Sequence, residues 1–310
     1  MAKKWLRILG GLLLLGALWW SLDLAAILAT LKSVDPVLWS LSVGTAALAS
    51  LACAWRWSRI SASLSAPIAL LAACRIYAEA ITINNILPGA ILGGDAWRAM
   101  QLRRRGARLG DAALSVIIDR LAGLWIVAAL GALGWALLGR AAHLMPWAAL
   151  VYSIVLLAVL LGMPLGLLIA PRVLDRGWLP DGLQRRLAPL RAQQGILRRA
   201  WIEALWPSIP AQALAMVTFG LCFRAAGVQL DPLTLMMSSG FVFMSLAIPI
   251  SLAGWGLREA AAIVILAGAG VPAESAAVSA ALYGLSATAQ GLLALPLFLM
   301  DRPVAGRIEP

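Results

Sequence analysis

Apolar runs of membrane-spanning length, separated by short clusters of charge, recur from one end of the chain to the other. A helix needs about 20 predominantly apolar residues to cross the hydrocarbon of a bilayer. Runs near 6–22, 37–55, 111–139, 146–170, 202–223 and 276–300 meet that length and predict six full spans. The segments 62–102 and 232–270 follow a different pattern. Each has two apolar arms joined by an interruption containing proline and glycine, which predicts a re-entrant helical hairpin whose ends leave on the side they entered. Most segments are apolar on both faces, whereas a membrane β-barrel needs short stretches of alternating polarity. The expected fold is therefore all-α: a single integral membrane domain over residues 1–310.

Composition agrees with that pattern. The chain is 62% hydrophobic and 13% charged, far from the ~25% charged residues of ordinary globular domains. A soluble fold is excluded. The formal net charge of +11 suggests nucleic acid only until the arginines are located. With the N-terminus inside, the alternation of spans puts 18 basic residues on the inner side, Arg56 and Arg59 among them, and leaves only Lys32, Arg140 and Arg224 outside. Such asymmetry is what membrane insertion imposes, and it predicts cytoplasmic termini without a nucleic-acid partner. Lys3, Lys4 and Arg7 ahead of the run Ile8–Leu22 have the start of a signal peptide, but the apolar segments that follow favour an uncleaved first span. The 171–201 loop carries seven arginines with leucines at roughly helical spacing. It is read either as a cytoplasmic segment lying on an anionic membrane surface or as a topology determinant alone.

The two hairpins also resemble one another. The first reads Asn84-Asn85-Ile86-Leu87-Pro88-Gly89-Ala90-Ile91-Leu92-Gly93-Gly94-Asp95-Ala96-Trp97-Arg98; the second contains Pro249, Ser251, Gly254, Gly256, Arg258 and Glu259. In both, a proline is followed five residues later by a glycine, then by an acid and an arginine. By the parity of spans they open to opposite sides, so halves of approximately 1–140 and 145–310 form an inverted-topology repeat.

Arg75, Arg98, Arg120 and Arg258 fall at membrane depth with Glu79, Asp95, Asp119 and Glu259. A charge there is costly unless paired or wetted, so all eight are expected to face the bundle interior. Arg75 and Glu79, four apart on one helix, read as an intrahelical pair. Asp119 and Arg120, being adjacent, should find separate partners. A helix restarting after Gly93-Gly94 would offer backbone N–H groups and a dipole to an anion near Arg98, with Asp95 as an alternative cap. The charges admit two readings: polar locks between helices, or arginines gripping a lipid headgroup with acids holding them in place. Cys53, Cys74 and Cys222 stand apart and His143 is the one histidine, so neither a metal site nor a disulfide is expected, and no cofactor is implied. The tryptophans, Trp5, Trp19, Trp20, Trp55, Trp57 and Trp201 among them, read as interfacial anchors.

Asn85-x-x-Pro88-Gly89, Gly93-Gly94-Asp95-x-x-Arg98, Asp119-Arg120 and Pro249-x-Ser251-x-x-Gly254-x-Gly256-x-Arg258-Glu259 together resemble the lysylphosphatidylglycerol synthase transmembrane family. That family includes the flippase part of the multiple peptide resistance factor and stand-alone bacterial proteins, some associated with hopanoid synthesis. The resemblance covers nearly the whole chain. It implies a multi-pass protein of the bacterial cytoplasmic (inner) membrane that moves an anionic or aminoacylated phospholipid, or a related lipid, between leaflets. It also implies that Asn85, Asp95, Arg98, Asp119, Arg120, Ser251, Arg258 and Glu259 line the lipid's path, with Pro88, Gly89, Gly93, Gly94, Pro249, Gly254 and Gly256 breaking the hairpins. The sequence ends at Pro310 without an aminoacyl-transferase domain, so it is not expected to make aminoacylated lipid itself. Two further readings stay open: a membrane-embedded lipid-modifying enzyme with Asp119, Asp95 or Glu259 as base, and a non-catalytic partner presenting lipid to a synthase.

The topology is testable with single cysteines in a cysteine-free background. An impermeant reagent applied to intact cells is expected to label positions near His143 and Pro272 and to spare both termini and the 171–201 loop. Labelling of that loop from outside would overturn the scheme.

Overall fold

The computed structural model describes residues 22–86, 91–138, 194–246 and 254–299, together with Gly16 and scattered helical positions between 150 and 161. The described residues are helical, without strands, and the chain is a polytopic helical membrane protein. In chain order the helices are α1 (Leu24–Lys32), α2 (Pro36–Ser63), α3 (Leu70–Ile86), α4 (Ile91–Arg104), α5 (Leu109–Leu138), α6 (Gln194–Ala225), α7 (Pro232–Ser245), α8 (Leu257–Ala267) and α9 (Ala273–Leu299). Among the described residues, α2, α5, α6 and α9 are the four long and apolar enough to cross a membrane. The expected spans 6–22 and 146–170 lie almost wholly outside the described residues.

Local chemistry fixes several helix starts. Asp35 accepts the N–H groups of Val37 and Leu38 at 2.8 and 3.1 Å, ahead of Pro36 in the first turn of α2. Asp231 repeats the device for α7, accepting from Leu233 and Thr234, both at 3.0 Å. Hydrogen bonds from Thr234, with that from the Leu233 N–H, hold the Asp231 carboxyl below the usual carboxylate range.

Two helices run longer than the hydropathy pattern implied. Helix α2 continues two turns past residue 55 to Ser63, and α6 begins at Gln194, so 194–201 belongs to a helix and not to the basic loop. The reason is packing. Ile60, Leu64, Ile118, Ala200, Trp201 and Ala204 form one buried apolar cluster that holds these polar-rich ends helical. Trp57 and Trp201 are correspondingly core residues at 0% and 7% exposure, not interfacial anchors.

Helices α2 and α6 form an antiparallel central pair. The Asp35 N–H donates to the Ala225 carbonyl at 2.9 Å at one end, and Thr45 meets Thr218 at 2.9 Å further along. Arg56 then reaches Ser208 at 3.2 Å, and Arg59 pairs with Glu203 at 2.5 Å near the other end. The first hairpin, α3–α4, packs its open end with Trp57 and Ala112 at this latter, arginine-rich end. The second, α7–α8, packs against the far half of α5 and the start of α9. The two helix pairs thus pack toward opposite ends of the α2–α6 pair.

Small residues make up more than half of the buried face of α5, beside Val116, Ile118, Ile126 and Val127, and large apolar ones stand on its exposed face. On α5 the buried set includes Ala112, Ser115, Ala122, Gly123, Gly131 and Gly134, whereas Ile117, Leu133 and Leu137 are exposed. That inside-out distribution suits a lipid solvent, which gives large apolar groups no reason to hide. A Cβ on Gly134 would lie 2.8 Å from the Met237 backbone nitrogen, so α5 and α7 meet backbone to backbone. Replacing Gly134 by valine is expected to lower stability by about 1–3 kcal/mol, the usual cost of overpacking a filled interior. Thermal melting of the purified protein in detergent checks this, and an unchanged melting point would deny the close approach.

Candidate functional site

A cavity of about 290 Å³ lies among the helices of the bundle. Its polar wall is built from Arg56 of α2, Asp95 and Arg98 of α4, and Asp119 and Arg120 of α5. Tyr77 and Asn84 of α3, Gln212 of α6 and Tyr283 of α9 add polar groups, while Leu246 at the end of α7 closes one side. At 1.5 Å per residue, Arg56 lies about 10 Å from the C-terminal end of α2 and Asp119 about 15 Å from the start of α5. Both positions are well inside the span.

Asp119 organises the wall. It is 1% exposed and accepts from Arg56 Nε at 2.6 Å through one oxygen and from Arg98 Nη2 at 2.7 Å through the other. Arg120, its neighbour, points elsewhere and pairs with Asp95. Asp95 also lies 3.7 Å from Arg98, one turn along α4. Arg98 itself is 3% exposed, its guanidinium enclosed by the rings of Trp57 and Tyr77 at 4.7 and 4.6 Å. Trp57 is held in turn by donating to Ser115 at 3.1 Å. The Arg98 Nε–H is buried without a hydrogen-bond acceptor among the described residues, an arrangement native interiors avoid unless a ligand or water completes it.

The sequence reading missed Arg56. The positive-inside count places it in the inner loop, yet it is 3% exposed and belongs to the buried network. The signal available was its position in Cys53-Ala54-Trp55-Arg56-Trp57, still within a continuous apolar helix face. Gly123 opposite it is necessary space: a Cβ there would lie 3.1 Å from both Arg56 Nη1 and Gln212 Nε2.

The helix following the first break starts earlier than expected. Helix α4 begins at Ile91, so Gly93 and Gly94 lie within its first turns and Asp95 is an interior residue, not a cap. Gly94 serves close packing: its N–H donates to Asn84 Oδ1 at 2.9 Å, and a Cβ would lie 2.6 Å from the Ala80 carbonyl. Arg75 and Glu79 pair within α3 at 2.9 Å, and Glu79 also accepts from Trp97 of α4 at 2.9 Å. That carboxylate locks the hairpin's two arms together. Asn85 is in α3, whereas Pro88, Gly89, Pro249 and Ser251 lie outside the described residues.

Arg258 and Glu259 form a second buried unit at the start of α8. One Glu259 oxygen accepts from Arg258 Nη2 at 2.7 Å and the other from the Gly256 N–H at 2.6 Å. Gly254 and Gly256 have φ of +86° and +83°, a conformation open to glycine and strained for other residues. The Arg258 guanidinium lies over the Trp255 ring at 4.8 Å and against Gly284, where a Cβ would be 2.0 Å from Nη2. Arg258 is not among the residues lining the cavity; Tyr283, next to Gly284, is. The structure therefore brings Arg98, Arg120, Asp95 and Asp119 together and sets the Arg258–Glu259 pair beside them.

The described residues thus form the helical bundle of a polytopic membrane protein, with paired charges around a cavity. Residues 7–294 match the family described as the lysylphosphatidylglycerol synthase TM region, and the chain belongs to that family. No curated protein and no solved structure matches the chain.

Removing the shared carboxylate should be costly. Asp119→Ala strands two buried guanidinium groups and is expected to destabilise the fold by about 3–5 kcal/mol, the usual result of breaking a buried pair from one side. Thermal melting against wild type reads this; a loss under about 1 kcal/mol would mean that water, not Asp119, satisfies the arginines.

Proposed function

We propose that the protein is a lipid flippase, moving a lipid with an anionic headgroup between the leaflets of a bacterial inner membrane. The observation that carries this reading is the cavity, where three arginines converge at membrane depth and one of them, Arg98, holds a buried, unpartnered donor. A guanidinium fork suits the oxygens of a phosphate, and fixed arginines need no reorganisation when the headgroup enters. Membership of a lipid-related membrane family supports the same direction.

In this reading α3–α4 and α7–α8 are re-entrant hairpins of an inverted repeat. Their arms support it: at 1.5 Å per residue the longest, α3, extends about 26 Å and the shortest, α8, about 17 Å, against hydrocarbon ~30 Å thick. Both termini are cytoplasmic and a lipid-synthesis enzyme is a fitting partner. The protein is a carrier and not an enzyme in its own right. Asp95 and Asp119, the acids lining the cavity, are each held by guanidinium groups, which suits fixing arginines rather than abstracting a proton.

The test compares Arg98→Gln, Arg258→Gln and Glu259→Gln in reconstituted vesicles, with lipid translocation and thermal stability measured on the same samples. Arg98→Gln is expected to reduce translocation at least about tenfold, the effect of losing one charge-assisted hydrogen bond, with most of the protein still folded. Arg258→Gln and Glu259→Gln, away from the cavity wall, should lose stability and activity together. Normal transport by Arg98→Gln, or loss only in step with folded protein, would make the charges structural locks.

A further inference from the structure

The charges around the cavity do not cancel. Arg56, Arg98 and Arg120 face Asp95 and Asp119, leaving one positive charge among the described lining residues. The adjoining pairs Arg75–Glu79 and Arg258–Glu259 are each neutral, so counting them changes nothing. An uncompensated charge at membrane depth is costly, which makes the empty site favour whatever neutralises it. The unpartnered Nε–H of Arg98 marks where that partner belongs: Asp119 takes Nη2, and the rings of Trp57 and Tyr77 flank the guanidinium plane.

We propose that the cavity selects a lipid headgroup of net charge −1, a phosphodiester whose other substituent is uncharged. This rests on the lipid-moving reading and narrows its substrate. A phosphodiester shares one negative charge over two oxygens, so headgroup and wall together are neutral. A doubly ionised phosphomonoester would leave one negative charge. A zwitterionic headgroup would leave the wall's positive charge in place, and a headgroup with additional amines would increase it. The remaining polar lining, Tyr77, Asn84, Gln212 and Tyr283 among it, is uncharged and suits a hydroxylated substituent. The 290 Å³ has room for about ten waters at ~30 Å³ each, enough for a small headgroup while the acyl chains stay outside.

The selectivity should follow the wall's charge when that charge is changed. Asp95 and Arg120 are the accessible members, with side chains 14% and 41% exposed, so their substitution disturbs the fold least. Wild type, Arg120→Gln and Asp95→Asn would be reconstituted in phosphatidylcholine vesicles. Tail-labelled phosphatidylglycerol, phosphatidylethanolamine and phosphatidic acid, the last above its second ionisation, report headgroups of charge −1, 0 and −2. Wild type is expected to move phosphatidylglycerol on the order of tenfold faster than the others. Arg120→Gln should shift the preference toward phosphatidylethanolamine, and Asp95→Asn toward phosphatidic acid. Thermal stabilisation of each variant by each lipid, measured in parallel, reads the same preference without movement. Excess soluble glycerophosphoglycerol should compete with phosphatidylglycerol, separating headgroup recognition from attraction to a charged surface.

Movement with one headgroup order in all three proteins would overturn charge matching and leave the transport reading intact. Stabilisation that follows wall charge without movement would uphold the selectivity and overturn transport. If neither movement nor stabilisation depends on headgroup charge, the inference is wrong.

Discussion

Asp119 is the group on which the structure's interior depends. A lone carboxylate there would be untenable, and so would either of the guanidiniums it holds. Arg56 comes from α2, Arg98 from the first hairpin and Asp119 from α5, so one buried charge cluster joins three segments distant in sequence. Because α2 is also half of the α2–α6 pair, the cluster fixes the first hairpin to the bundle's centre. It does so through directional bonds, which in a lipid solvent discriminate between packings better than apolar contact does.

The two hairpins place their charges differently. In the first, Glu79 braces the arms from within, leaving Asp95 and Arg98 to face the cavity. In the second, Arg258 and Glu259 satisfy each other and the backbone at the start of α8, and the guanidinium occupies space that Gly284 vacates. The similarity in sequence therefore does not imply two equivalent ligand sites. One hairpin contributes charge to the cavity wall; the other contributes Phe243 and Leu246 and lies against Tyr283, whose ring stacks on Phe243 at 5.2 Å.

Much of this was legible in the sequence because membrane proteins advertise their architecture through length and charge. The all-helical class followed from apolar runs. The separate partners of Asp119 and Arg120 followed from the 100° between neighbouring helix positions. Arg56 was not legible, because an arginine near the end of an apolar run is indistinguishable from a topology signal until the helix is known to continue. Trp57 was obscured by the same two turns. The start of α4 was set earlier than Gly93-Gly94 because glycine there serves contact with Asn84 and Ala80, a tertiary demand that no local pattern records. The separation of Arg258 from the cavity likewise depends on where α9 places Gly284.

The central claim is that one buried carboxylate carries two arginines as a unit. A double-mutant cycle of Arg56→Gln and Asp119→Asn, read by thermal or chaotrope unfolding in the same detergent, tests it most directly. Groups in one buried network couple by ~0.5–3 kcal/mol, whereas independent sites add to within about 0.5 kcal/mol. The account predicts coupling near the upper end of that range, with the double substitution less damaging than the two single effects combined. Simple additivity would show that Asp119 and Arg56 are satisfied separately, and the cluster would lose its place at the centre of the fold.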